Sequence, residues 1–188
     1  MKIKKMTTTG VLAAASFVLM AIEFGLPFMP PFLKFDFSTV PALIAGFLYG
    51  PVSGIAVILV KDLLHLLMTQ TGGVGELADF ICSAVMVLIS SFVYVRVKNK
   101  KGAFLGLVFS CIGLMIAGGL ANYFILIPFY AKVMPIEAII EVCSKINPYI
   151  SSIYTYVIFG AMPFNLIKGI ILSFVTIIIY KKISLFVK

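Results

Sequence analysis

The chain has 188 residues, of which 62% are hydrophobic, and a mean hydropathy of +1.15, which excludes a soluble globular domain. A formal net charge of +8 would point to nucleic acid in a soluble protein. Here the basic residues gather at the ends of apolar runs, the ordinary signal of membrane orientation, so no nucleic-acid partner is expected. The runs reach about 20 residues, enough for a hydrocarbon core of about 30 Å, and alternating strands of about ten residues are absent. The expected class is therefore an all-α membrane protein and not a barrel.

The first span runs from about Thr7 to Gly25. Its basic start imitates a signal peptide, but no small-residue cleavage site precedes a soluble domain and further apolar segments follow. The stretch Phe24 to Phe37 contains Gly25, Pro27, Pro30 and Pro31 and cannot be regular helix. Its phenylalanines, Phe24, Phe28, Phe32, Phe35 and Phe37, read either as an interfacial belt or as a loop folding over a cavity mouth to stack on a planar ligand. A second run, Val40 to Tyr49, ends at Gly50-Pro51, and a third extends from Val52 to about Thr69 before the break at Thr71-Gly72-Gly73. A fourth runs from about Leu77 to Val97 and a fifth from about Ala103 to Tyr130. Pro135 to Lys145 sets Ile136, Ile139 and Ile140 against Glu137, Glu141 and Lys145, the pattern of a short interfacial helix. The sixth span, about Ile150 to Ile183, is interrupted by Gly160 and Pro163. No second domain, internal repeat or disordered tail is expected, which leaves one integral membrane domain over 1–188.

Charge parity decides whether Val40 to Thr69 is one helix or two. Lys2, Lys4 and Lys5 mark one end as cytoplasmic; Arg96, Lys98, Lys100 and Lys101 mark the connection after the fourth run; Lys181, Lys182 and Lys188 mark the last. All three clusters lie inside only if an even number of spans separates them. That demands a turn at Gly50-Pro51, and hence six transmembrane helices with both termini cytoplasmic. The longer loops then face outward, as around an outward-facing cavity with a lid.

Charged and amide groups inside the runs are costly in hydrocarbon and face a protein interior or a wet cavity. Asn165 and Lys168 are three apart on one face of the sixth span, just after Pro163, and could grip a polar heteroaromatic edge or an anion. Lys61 and His65 share a face of the third span, and Asp62 could pair with His65 at i,i+3; these three are either a functional group or an internal ion pair joining helices. His65 is the only histidine and no HExxH occurs, so a metal site is not expected. Asn122, beside Tyr123 and after Gly118-Gly119, serves a ligand or ties helices together. Glu23, near the outer end of the first span, reads as exposed at the interface. Cys82, Cys111 and Cys143 form no cluster and read as packing residues. Gly10 and Ala14 have small-xxx-small spacing, which admits another helix closely. A partner protein is attractive here, because no GxxxxGK[ST] is present to bind ATP.

Four segments together resemble the riboflavin-binding S components of bacterial energy-coupling factor (ECF) transporters. They are the alanine-rich first span, FLKFDFSTVPAL from Phe32 to Leu43 followed by Gly50-Pro51, NYFILIPFY from Asn122 to Tyr130, and PFNLIKG from Pro163 to Gly169. The last two look like the riboflavin branch. The resemblance implies a non-enzymatic, six-helix subunit of the bacterial cell membrane that captures riboflavin from outside and needs no cofactor. It implies a transmembrane coupling subunit and two ATP-binding subunits as partners, toppling in the membrane to deliver the vitamin, and Gly10 with Ala14 as the docking motif where the family has two alanines. It also places Asp36, Phe37 and Ser38 with Asn122, Asn165, Lys168 and Lys61 in the substrate-binding set. An isoalloxazine ring needs apolar walls plus donors and acceptors for its imide edge, which Asn122, Asn165 and Lys168 offer. The alternatives are an S component for another vitamin or a purine-like ring, and a small intramembrane enzyme using Asp62 and His65, which lacks a nucleophile–base–orienter set.

Overall fold

The structure of the protein, a computed structural model, describes residues 2–27, 29, 30 and 33–187, with side chains as far as residue 180. Phe28, Pro31, Phe32 and Lys188, and the side chains of Lys181 and Lys182, lie outside the described residues.

Helix α1, Lys2–Ala21, begins five residues before Thr7 because neither the lysines nor the threonines break it. It buries Ala13, Ser16 and Met20 along one stripe and leaves Gly10 and Ala14 exposed on another. The proline-rich stretch after it is not helical, as expected, but it contains a two-stranded antiparallel pairing that the sequence did not announce. Strand β1 (Phe24–Gly25) lies against β2 (Lys34–Phe35), with Phe24 opposite Phe35.

Helix α2, Thr39–Tyr49, has every residue from Thr39 to Phe47 buried, so it forms the centre of the bundle. It ends at Gly50, whose φ of 92° and ψ of 169° suit glycine, and Pro51 occupies the first turn of α3, Pro51–His65. The run from Val40 to Thr69 is thus two helices folded back on each other. Gly54 makes this possible, since a Cβ there would lie 2.8 Å from the Ala42 carbonyl oxygen. A 3₁₀ turn, Leu66–Met68, and the positive-φ pair Gly72-Gly73 lead into α4, Val74–Val97. Lys98 closes α4 with a φ of 46°, and the Asn99 side chain accepts the Gly102 N–H at 2.9 Å to start α5, Lys100–Ala121.

Two π turns follow a common plan. Asn122–Leu126 precedes α6 (Ile127–Tyr130), and Val157–Ala161 follows α8 (Ile153–Tyr156) and precedes α9 (Met162–Val187). Each lies just ahead of a proline, Pro128 or Pro163, in the first turn of the next helix. Proline lacks the N–H an α-helix needs, and the widened turn re-routes the ladder: the Ile127 N–H bonds the Asn122 carbonyl and the Met162 N–H bonds that of Val157. Phe159 C=O, four residues before Pro163, instead accepts the Asn147 side-chain N–H at 3.3 Å. Between these segments lies α7, Ile136–Ile146, which buries Ile139 and Cys143 and exposes Glu141 and Lys145 as an i,i+4 pair.

The stretches Pro51–Met68, Val74–Val97, Lys100–Tyr130 and Ile153–Tyr180 are long and apolar enough to cross a membrane, and Thr39–Tyr49 is a shorter apolar helix. Large apolar side chains such as Val18, Leu67, Phe104, Phe124 and Phe174 point outward, as lipid as solvent permits. The fold is that of a multi-pass helical membrane protein. Its main core gathers α2 with inward faces of the long helices, including Leu43, Ile58, Met86, Leu107, Leu114 and Leu172.

Candidate functional site

One end of this bundle holds a cavity of about 410 Å³, within the range of small-ligand pockets. Its walls come from the C-terminal ends of α1, α3 and α5, the N-terminal ends of α2, α4 and α9, and the β2 strand. The opposite end carries Lys5, whose Nζ lies 3.3 Å from the Tyr49 carbonyl oxygen, and the Gly50 and Lys98 turns. The cavity therefore sits away from the lysine-rich ends.

Leu33, Leu114, Leu126, Phe164 and Leu172 supply apolar surface to the walls. Asn122, Asn165, Lys168 and Asp36 are set among them. Asn165 donates one amide N–H to the Ala161 carbonyl at 2.8 Å, inside the second π turn. Among the described residues its Oδ1 accepts no bond, so that oxygen and the second N–H are available to a ligand. Gly118 lies directly beneath it; any Cβ there would overlap the Asn165 amide. Asn122 is more committed. It donates to Gly118 C=O at 2.8 Å and accepts from Tyr156 OH at 2.7 Å, tying α5 to the 153–161 segment while still facing the cavity.

Lys168 holds a buried chain of charges. Its Nζ donates to Asp36 Oδ2 at 2.9 Å and lies 3.6 Å from Asp79 Oδ1. Asp79 Oδ2 accepts from Lys61 Nζ at 2.6 Å and from Ser83 Oγ at 3.2 Å, and Lys61 also reaches Asp62 Oδ1 at 2.5 Å. Asp36 Oδ1 in turn accepts the Ser38 N–H at 2.7 Å, fixing the entry to α2. The strand, α2, α3, α4 and α9 are thus joined through three aspartates and two lysines.

Asn122, Asn165, Lys168 and Asp36 all line the cavity. Lys61 is fully buried behind its wall, and Phe37 and Ser38 pack beside it without facing it. The expected Asp62–His65 pair does not form, because the two side chains diverge around α3. Asp62 turns to Lys61, while His65 Nδ1 donates to Glu76 Oε1 at 2.8 Å. Glu23 is not a bare interfacial residue: it is half-buried, ion-paired with Lys34, and lines the cavity. Of the described phenylalanines in the first loop, Phe35 is buried against Phe24 and Phe37, with ring centroids 5.5 and 5.1 Å away; the described phenylalanine and tyrosine rings that line the cavity are Tyr130 and Phe164. Sequence reasoning missed Asp79 and Glu76. The signal was available: the two carboxylates lie three residues apart in the first two turns of a long apolar helix. Among the described residues, no group of three or more His, Cys, Asp and Glu side chains could hold a metal ion. The three cysteines are free, and Cys111 and Cys143 are buried.

The pattern of the family described as "ECF transporter, substrate-specific component" matches residues 4–180. The riboflavin transporter RibU of Staphylococcus aureus (strain TCH60) is 36% identical over 185 residues, which cover 98% of this chain and 93% of that protein. The riboflavin transporter FmnP of Bacillus subtilis (strain 168) is 33% identical over 187 residues, covering 98% and 94%. A solved chain described under "Structure and mechanism of the S component of a bacterial ECF transporter" superposes with a TM-score of 0.80 at 36% identity, covering 100% of this chain and 99% of that one.

Proposed function

The chain belongs to the substrate-specific components of ECF transporters, and from that premise we propose that it is the riboflavin-binding membrane subunit of such a transporter. It is a transporter component and not an enzyme, and riboflavin is its cargo, not a cofactor. The carrying observation is the near full-length likeness to riboflavin transporters at 36% and 33% identity. The cavity chemistry supports it: apolar walls for a flat ring system, with the Asn165 amide and the remaining donor of Asn122 for its polar edge. In this reading Asn122, Asn165, Lys168 and Asp36 touch the vitamin, while Lys61, Phe37 and Ser38 hold the wall in place. The whole of 1–188 acts as one substrate-binding domain. Purified without added ligand from cells grown on riboflavin, the protein is expected to be yellow and to release riboflavin on denaturation. A colourless protein that quenches no flavin fluorescence on titration would overturn the assignment.

The proposed topology is six spans in the bacterial cell membrane, with α1 and α2 as the two spans beyond the four long stretches and both termini inside. Positive-inside charge supports it, since Lys2–Lys5, Arg96–Lys101 and the C-terminal lysines then all face the cytoplasm. The cavity opens outward in that orientation. In a cysteine-free background, Lys100→Cys should resist a membrane-impermeant thiol reagent in intact cells and react in inverted vesicles; labelling from outside would refute the arrangement. The partners are a transmembrane coupling subunit and two ATP-binding subunits, met through the cytoplasmic half of α1.

A further inference from the structure

Acidic and basic residues are segregated along the bundle. Of the 7 acidic residues in the chain, Glu23, Asp36, Glu76 and Asp79 line the cavity and Asp62 pairs with Lys61 behind its wall. Glu137 and Glu141 lie on α7, which packs through Ile139 and Cys143 against Ile127 and Tyr156 at that same end. None remains for the lysine-rich end. There Arg96 and Lys98 close α4, Lys100 and Lys101 open α5, and all of them are exposed with no carboxylate to pair with. The fold gathers the other basic clusters beside this turn. The hydroxyls of Tyr94 and Tyr180, 2.7 Å apart, tie the end of α4 to α9 just before Lys181 and Lys182. Phe47 packs on both rings, with centroids 4.9 and 5.3 Å away, and Lys5 of α1 donates to the Tyr49 carbonyl two residues further on.

We propose that the α4–α5 turn binds an anionic phospholipid, its phosphate held by Arg96, Lys98, Lys100 and Lys101 and its acyl chains laid along the outer face of α5. Helical spacing puts Lys100 and Lys101 in line with Phe104, Leu105 and Val108, all exposed, while Gly106, Leu107 and Ser110 turn into the bundle. Arg96 likewise stands one turn from the exposed Phe92 on α4. Cations thus meet apolar surface at one level of the hairpin, as a lipid's headgroup meets its chains. An acidic protein would use the cations but leave the apolar stripe without a role. A phosphodiester with an uncharged headgroup relieves the repulsion among these crowded cations, whereas a zwitterionic lipid brings an ammonium of its own. Clustered lysines and arginines beside a membrane span attract anionic lipids in this way. The inference needs only the multi-pass fold and does not depend on the riboflavin reading.

The test is native mass spectrometry of the purified full chain, incubated in detergent with equimolar phosphatidylglycerol and phosphatidylcholine, with the adducts of each lipid compared. The wild type should favour phosphatidylglycerol by at least about tenfold, and each neutralised cation should lower that preference by about fivefold. Lys100→Gln combined with Lys101→Gln should therefore abolish it. Lys132→Gln combined with Lys145→Gln, beyond the cavity end, should leave it unchanged. Thermal unfolding in detergent reports the folding of each variant. Should the first double variant not accumulate, the wild type in rising ammonium acetate decides the matter, since screening weakens a charge-held lipid and a preference insensitive to salt would overturn the proposal. Equal binding of the two lipids by the wild type would overturn it as well, and capture of polyglutamate in that case would assign the turn to an acidic protein. A preference retained without Lys100 and Lys101 would remove this turn as the site.

Discussion

Lys168→Met is expected to be the most damaging substitution in the cavity wall, costing about 3–5 kcal/mol of stability in addition to ligand affinity. The lysine compensates two carboxylates at once, Asp36 Oδ2 at 2.9 Å and Asp79 Oδ1 at 3.6 Å, and its side chain is 9% exposed. Without it, Asp36, Asp62 and Asp79 remain together with Lys61 alone. Methionine fills most of the volume, so the loss is electrostatic and not a cavity effect. Adding Asp79→Asn to Lys168→Met should restore part of the stability, because it removes one of the uncompensated charges. Asn165→Ala should behave differently. Its amide makes one intrahelical bond to Ala161 and faces the cavity, so riboflavin affinity should fall by about 1–3 kcal/mol while the fold persists. Thermal unfolding in detergent, paired with flavin titration, separates the two effects. Wild-type stability in Lys168→Met would show that its ammonium is not what holds these carboxylates.

Sequence reasoning treated Lys168 and Asn165 as equal grips on a ligand, and the reason it could not separate them is instructive. Helical spacing places two residues on a common face, but it says nothing of what the neighbouring helices bring to that face. Asp79 arrives from α4 and Asp36 from the first loop, 132 residues from Lys168. The break at Gly50-Pro51 was legible because two independent signals agreed there, a helix-ending dipeptide and the parity of the basic clusters. The interruption at Pro163 was legible as a position and not as a shape, and the one at Pro128 was passed over inside a run read as a single span from Ala103 to Tyr130. A missing N–H predicts a broken ladder, whereas the π turn that repairs it depends on the packed side chains around it. Glu23 was misread for a similar reason: its partner, Lys34, reaches it only through the pairing of β1 with β2. Two-residue strands among prolines leave no period in the sequence to detect.

Gly10→Leu and Ala14→Leu should abolish riboflavin uptake or assembly with the coupling subunit while the isolated protein keeps its affinity for the vitamin. Gly10 and Ala14 lie one turn apart on an exposed face of α1, about 100° round the helix from the buried stripe of Ala13, Ser16 and Met20. A Cβ added at Gly10 meets nothing within 4 Å. The larger side chain therefore costs the isolated protein no packing, and replacing glycine in a helix interior favours the helix by about 1 kcal/mol. A partner helix seated on this face would be pushed outward, because close backbone approach needs small residues at the contact. The cavity is formed at the other end of α1, by Met20, Ala21 and Glu23, so its geometry should be unaffected. The two readouts thus fall apart in one variant: flavin titration of the purified protein gives wild-type affinity, and ATP-driven uptake, or co-purification with the coupling subunit, is lost. Normal uptake in both variants would remove this face as the docking site. Loss of flavin binding in the isolated protein would mean instead that the small residues support the bundle itself.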